Sequence, residues 1–261
     1  MTLGFSVQTL LPDARGGGKL RMGLKPIPEA DWLQPNPDIA TRKAAFAADP
    51  TRITIFPEAE EPGAELAQML GLQGGLAECA QAHWEDMCLL TRDGDTGYHR
   101  LVGAAVAFPT GWDHNDRMGQ RVAQMHAHIH GYSEQLADGV DHFMDRLEAG
   151  PIFGRANWFV APTSDLHWRV EPPEQAFAHV TPDNAGEALF VRSERQTLRR
   201  LPQSGAILFA IGVYVEPLRA LPSPTVQWLS KAVQAIPAGE RERRGIDAYL
   251  VALSGYAKSK G

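Results

Sequence analysis

Ala206-Ile207-Leu208-Phe209-Ala210-Ile211-Gly212-Val213-Tyr214-Val215 is the strongest strand signal in the chain. Its apolar run predicts a strand in a buried, central position of a sheet. Working upstream, Ala188–Val191 reads as a further strand that runs into the polar stretch Arg192–Thr197, and Arg155–Val160 as another. Cys88-Leu89-Leu90 and Leu101–Phe108 read as strands joined by Asp93-Gly94-Asp95-Thr96-Gly97, a turn sequence, so together they predict a hairpin.

Helical signals flank these strands. Ile39–Ala48 is rich in alanine and sits between Asp38 and Pro50, after a turn region carrying Pro26, Pro28, Pro35 and Pro37. A helix pair is expected at Pro62–Leu70 and Leu76–Asp86, which makes Glu85-Asp86 a helix end. A short helix is expected at Gly119–His126. Ser133–Glu148 predicts a longer one, with Ser133 as its N-cap, Leu136, Val140, Phe143, Met144 and Leu147 as its apolar stripe, and Gly150-Pro151 as its stop. Thr225–Ile236 and Gly239–Tyr256 read as two C-terminal helices. Strands concentrated between helical flanks imply an α+β fold with one antiparallel sheet. The expected organisation is a single domain with a flexible lead at 1–21, a helical wrapper at 22–86, a core at 87–217 and C-terminal helices at 218–261.

The chain has 261 residues, 44% of them hydrophobic, enough for one large core or two modest ones. A formal charge of -6 offers no global attraction to phosphate, which argues against nucleic acid or an anionic membrane as partner. Two cysteines, Cys79 and Cys88, are too few for a disulfide framework or a thiolate cluster and point to a reducing compartment. No window reaches the roughly 20 apolar residues of a membrane helix, and Met1–Arg21 lacks a signal-peptide pattern, so a cytoplasmic location is expected. Gly16-Gly17-Gly18 makes no phosphate loop, and hydrolase-elbow, dinucleotide and His-Glu-x-x-His motifs do not occur.

An ordered set of short motifs remains. It comprises Met22-Gly23-Leu24 with Trp32, Glu85–Leu90, Phe108-Pro109 with Trp112 and Met118-Gly119, and Met125-His126 followed by Gly131-Tyr132. Arg155-Ala156-Asn157-Trp158, Arg192–Leu198 with Leu201-Pro202, and Ile207–Tyr214 complete it. In this order and spacing the chain resembles, over Met22–Pro217, the alpha subunit of the haem-dependent oxidative N-demethylases. The resemblance implies a PAS-like antiparallel core that binds haem b. It also implies O2-dependent demethylation of a small N-methylated amine with release of formaldehyde. Electrons would come from a separate flavin and iron–sulfur protein. Two departures stand out: His128 and His130 replace the prolines of the family's His-x-Pro-Val-Pro-Gly-Tyr, and Gly212-Val213 stand where the family has Arg-Thr.

His126 coincides with the motif histidine and is the expected metal ligand of the haem. His126, His128 and His130 would share one face of an extended strand, which offers zinc or copper binding as a rival reading and an exposed loop as the plain one. Glu194, between Arg192 and Arg195, is the candidate catalytic carboxylate, able to accept an ammonium group or relay a proton; a strand-end salt bridge is the alternative. Arg192 and Arg195 suit bidentate pairing with haem propionates, whereas Arg199-Arg200 read as an ion-pair network or solvated face. Arg155 and Asn157 share one strand face as pocket candidates, and Trp158 points to the other. A non-catalytic haem-binding or gas- and redox-sensing protein is the second functional reading.

Overall fold

In the computed structural model, which describes residues 4–11, 20–35, 38–168 and 171–260, the apolar run becomes the middle strand of a seven-stranded sheet. The strands are β1 (Lys25–Ile27), β2 (Ile53–Ile55), β3 (Asp86–Arg92), β4 (His99–Ala105), β5 (Ile152–Ala161), β6 (Phe190–Arg200) and β7 (Ile207–Pro217). Their order is β1-β5-β6-β7-β3-β4-β2, and the registered pairs β1–β5, β2–β4, β3–β4 and β3–β7 are antiparallel. With strands on both sides of it, β7 satisfies its backbone groups within the sheet, and its apolar side chains are free to bury on both faces. Ile207 and Leu208 lose all solvent exposure, each worth about 1.5–3 kcal/mol of transfer free energy.

The helices among the described residues are α1 (Val7–Leu10), α2 (Ile39–Ala48), α3 (Glu60–Met69), α4 (Leu76–Ala82), α5 (Val122–Met125) and α6 (Asp138–Arg146). They continue with α7 (Pro173–Ala176), α8 (Ala185–Ala188), α9 (Ser223–Gln234), α10 (Ala238–Arg243) and α11 (Leu250–Ser259). The α+β class holds. The Gly16-Gly17-Gly18 lead and Pro37 lie outside the described residues.

Contacts divide the chain into two units, one built on Leu20–Arg155 and Arg195–Gly212, the other on Ala156–Glu194 and Val213–Gly261. In the first, the β3–β4 hairpin closes through Asp93, whose carboxylate accepts hydrogen bonds from the Asp95 and Thr96 amides and the Thr96 hydroxyl. Gly97 supplies the left-handed residue at φ +75°. The faces of Cys88, Leu90, Leu198 and Ile207 pack against Val122 of α5 and Met144 and Leu147 at the end of α6. Arg200 caps that end by donating to the Met144 and Leu147 carbonyls.

In the second unit α9 and α11 pack side by side, with Ser230, Ser254 and Gln234 hydrogen-bonded between them. Phe177 meets the Tyr249 ring at 4.7 Å, and the Tyr256 ring lies so close to Gly186 that a Cβ there would sit 2.7 Å from it.

Several expected boundaries shift for identifiable reasons. Helix α4 ends at Ala82 rather than Asp86, because Asp86 opens β3 and its carboxylate accepts from the Ala107 and Phe108 amides. Glu85-Asp86 is therefore a buried strand entry and not a helix end. Ser133 is no N-cap: Tyr132 before it already has helical angles, and Ser133–Ala137 form a π-helical turn leading into α6. Ala188 closes the one-turn α8, so the strand begins at Phe190 and carries the whole polar stretch to Arg200. The expected helix at Gly239–Tyr256 breaks at Gly245, whose φ of +59° ends α10 before α11 starts at Leu250.

Candidate functional site

The one-turn α5 sets the site's first element. Gln124 accepts the Arg121 amide at its start, and His126 stands at its C-terminus. The His126 ring folds back so that Nδ1 lies 2.8 Å from the Val122 carbonyl oxygen. A carbonyl only accepts, so Nδ1 carries the proton and Nε2 keeps its lone pair. Burial lowers the His126 pKa, opposed by the Val122 bond and helped by Arg155, His128 and Arg117. The imidazole is neutral at pH 7, the state in which it ligates a metal.

Tyr132 lies on this ring in parallel stacking, with centroids 4.9 Å apart and planes 14° from each other. The turn that brings it back passes through Gly131 at φ +75°, where a Cβ would run into the Gln135 amide. Tyr132 is 5% exposed, and burial pushes its phenol up to about 12, so it is uncharged.

Strand alternation sets the second element. Ile152, Gly154, Trp158 and Val160 of β5 are buried, while Phe153, Arg155, Asn157 and Phe159 on the other side are half-buried. Arg155 donates through Nε to the Gln196 side chain at 2.8 Å and through Nη1 to the Met22 carbonyl at 3.0 Å. These two bonds hold its guanidinium in a fixed orientation in the first unit, close enough to His126 to disfavour the ring's protonation.

Partly covered apolar side chains belong to the same unit. Leu24, Met118, Met125, Phe143, Phe153 and Phe209 are only partly buried and pack on the first unit's core, with Phe143 and Phe153 edge to face at 5.2 Å. A neutral imidazole with Nδ1 engaged by a carbonyl and an arginine oriented by two hydrogen bonds are the donor and the carboxylate partner that a porphyrin requires. The residues present fit haem.

Each remaining expected site residue has its own surroundings. Arg195, also in the first unit, is 5% exposed and on the other side of β6 from Gln196; its guanidinium donates to the Asp31 and Trp32 carbonyls and lies 3.8 Å from Glu85. Arg199 pairs with Glu29 and stacks over the Trp32 ring at 4.1 Å. In the second unit, Arg192 donates to the Asp165 and Leu166 carbonyls, and Trp158 is buried against Trp228 at 5.8 Å with the Arg244 guanidinium on its carbonyl. Glu194, 7% exposed, follows Arg192 on the same side of β6, and Asn157 is half-buried on β5.

The histidine triplet is not extended. His126–His130 is a run of turns, with His128 and His130 exposed, and among the described residues no group of three or more His, Cys, Asp or Glu is placed to hold a metal ion. The shared-face arrangement predicted from spacing is thus corrected.

Three residues emerge that sequence reading gave no role. Tyr132 was visible only as part of a Gly-Tyr break, and its pairing with His126 depends on the turn between them. Gln196 could have been found from its place two residues after Glu194, since alternate strand positions share a face. Glu85 is fully buried, accepting the Gln34 amide on both carboxylate oxygens at 3.1 and 3.0 Å.

The sequence profile described as haem-dependent oxidative N-demethylase, alpha subunit-like, matches residues 66–252, more than two thirds of the chain. That span contains His126, Tyr132, Arg155 and Gln196. No helix among the described residues is long and apolar enough to cross a membrane. The chain belongs to the haem-dependent oxidative N-demethylase alpha subunit-like family.

Proposed function

We propose that this chain is the haem-carrying component of an oxidative demethylase that uses O2 to remove a methyl group from a small N-methylated amine. The observation that carries the reading is the His126 geometry: Nδ1 engaged by the Val122 carbonyl, so that Nε2 keeps the lone pair, and Arg155 oriented within electrostatic reach. Haem b in a PAS-like enclosure would supply the oxygen activation.

The chain's own residues do the rest. His126 would hold the iron through Nε2, and the Val122 carbonyl, by binding the Nδ1 proton, would raise the ring's donor strength. Arg155, whose guanidinium is oriented by Gln196 and the Met22 carbonyl, would pair with a propionate. Met125, Phe143, Phe153 and Phe209, partly buried on the first unit's core, would supply apolar cover for the cofactor. Glu194 is the carboxylate assigned to the amine's ammonium group. The methyl carbon gains one oxygen of O2, the other leaves as water with two electrons and two protons, and the carbinolamine collapses to formaldehyde and the demethylated amine. A separate flavin and iron–sulfur protein in the cytoplasm supplies the electrons.

The test begins with the absorption spectrum of the haem-loaded protein, where a Soret band altered by His126→Ala is expected. Formaldehyde release from a panel of methylamines, with a chemical or protein electron donor, then checks turnover. An unaltered Soret band in His126→Ala would remove the ligand assignment, and gas binding without formaldehyde would favour the sensing reading.

A further inference from the structure

Two soft torsions orient a histidine side chain, and one hydrogen bond does not fix both. The Nδ1 contact with the Val122 carbonyl pins one atom of the His126 ring at 2.8 Å but leaves the ring free to rock about that contact. A second restraint has to act on the plane. Tyr132 supplies it: its ring lies nearly parallel to the imidazole, 14° between planes and 4.9 Å between centroids.

The tyrosine is itself held by its surroundings. It is 5% exposed, it opens the helical segment that continues into α6, and its amide donates to the Ile129 carbonyl at 3.0 Å. The Ile129 amide in turn donates to the His126 carbonyl at 2.9 Å, so two consecutive turns tie the two residues together. A ring held this way covers one π-face of the imidazole and excludes water from it.

We propose that Tyr132 is a positioning residue for His126, fixing the imidazole plane so that Nε2 presents its lone pair in a single direction. The proposal rests on the reading of His126 as haem ligand. It assigns Tyr132 no contact with haem or substrate. Its hydroxyl is dispensable for this role; its ring is not. Offset stacking needs a planar partner, so phenylalanine replaces tyrosine and leucine does not.

The experiment compares the full-length wild type with Tyr132→Phe, Tyr132→Leu and His126→Ala, in two measurements. Haemin titration of the haem-free protein is expected to give Tyr132→Phe an affinity and Soret position matching wild type. Tyr132→Leu should bind about tenfold or more weakly, the scale of losing an orienting partner, and show mixed ligation by electron paramagnetic resonance. Nitrogen-15 NMR of the haem-free protein reads the second effect without cofactor. His126 in wild type and Tyr132→Phe is expected as a single tautomer protonated at Nδ1, and Tyr132→Leu as a mixture.

A Tyr132→Leu protein with wild-type affinity and a single tautomer, alongside a spectrum that His126→Ala does change, overturns the positioning role alone. A spectrum that His126→Ala leaves unchanged overturns the ligand assignment and this proposal with it. Should Tyr132→Leu fail to fold, Tyr132→Phe still decides, because loss of affinity there places the essential contact in the hydroxyl and refutes a ring-stacking role.

Discussion

Glu85 shows how much of a buried side chain's behaviour depends on neighbours far along the chain. Its carboxyl is fully buried, and burial pushes its pKa from an ordinary 4.5 to about 7 against the pull of the Gln34 amide, Arg195 and Arg42. The folded protein therefore holds this proton more tightly than the unfolded chain does. The stabilisation is complete below the unfolded value near 4.5 and is lost as pH rises through about 7. Across that window wild type should lose about 3 kcal/mol relative to Glu85→Gln, which carries no titrating proton. Urea melts of both proteins from pH 5 to 8 test this, and parallel stability curves would count against it. None of this was visible in sequence, where Glu85-Asp86 reads as a helix end. The partners Gln34 and Arg195 sit on other segments, and only the fold assembles them. His126, in contrast, could be picked out from its motif alone, although its tautomer and its stacking partner could not.

Elements whose ends are set by short-range chemistry were the legible ones. Helix α2 was readable at both ends because Asp38 accepts the Thr41 amide at its start and Pro50 follows closely after its last residue. The hairpin was readable because Asp93 and Gly97 are turn residues in their own right. Strand β6 was read only in part, since a run from Arg192 to Thr197 looks solvent-facing, yet all six of its side chains are buried. Arg192 and Arg195 survive there because the fold brings carbonyls to meet them, and Gln196 because it accepts from Arg155. The same logic fixes α2 in place. Arg42 is fully buried and donates to the Ala80, Trp84 and Glu85 carbonyls and to the Asp86 carboxylate at 3.0 Å. Arg42→Met strands three carbonyls and a buried carboxylate at once, so equilibrium unfolding should register a loss of about 3–5 kcal/mol. A loss under 1 kcal/mol would mean that α2 is held by apolar packing and not by this guanidinium. In the second unit, Gly245→Ala forces a side chain into the left-handed region and against Pro173. A destabilisation of at least about 1 kcal/mol is expected in the same assay.

At the scale of the molecule, the two units predict an uneven response to the cofactor. His126, Tyr132, Arg155 and Gln196, which together make the donor and its supports, all belong to the unit built on Leu20–Arg155 and Arg195–Gly212. A ligand that binds only the folded state stabilises it by mass action, about 2.7 kcal/mol at a hundredfold excess over its dissociation constant. If the iron is held as proposed, that stabilisation enters through α5 and the first residues of α6, whose single-turn and π-helical starts make them prone to open locally. Hydrogen exchange on protein with and without haem should therefore show protection concentrated at residues 122–146 and on β5 up to Arg155, with α9 and α11 changing least. His126→Ala should abolish the difference at 122–146 while leaving exchange in α9 and α11 as it was. Protection that appeared first in α9 and α11, or persisted at 122–146 in His126→Ala, would move the cofactor away from the imidazole on which the functional reading depends.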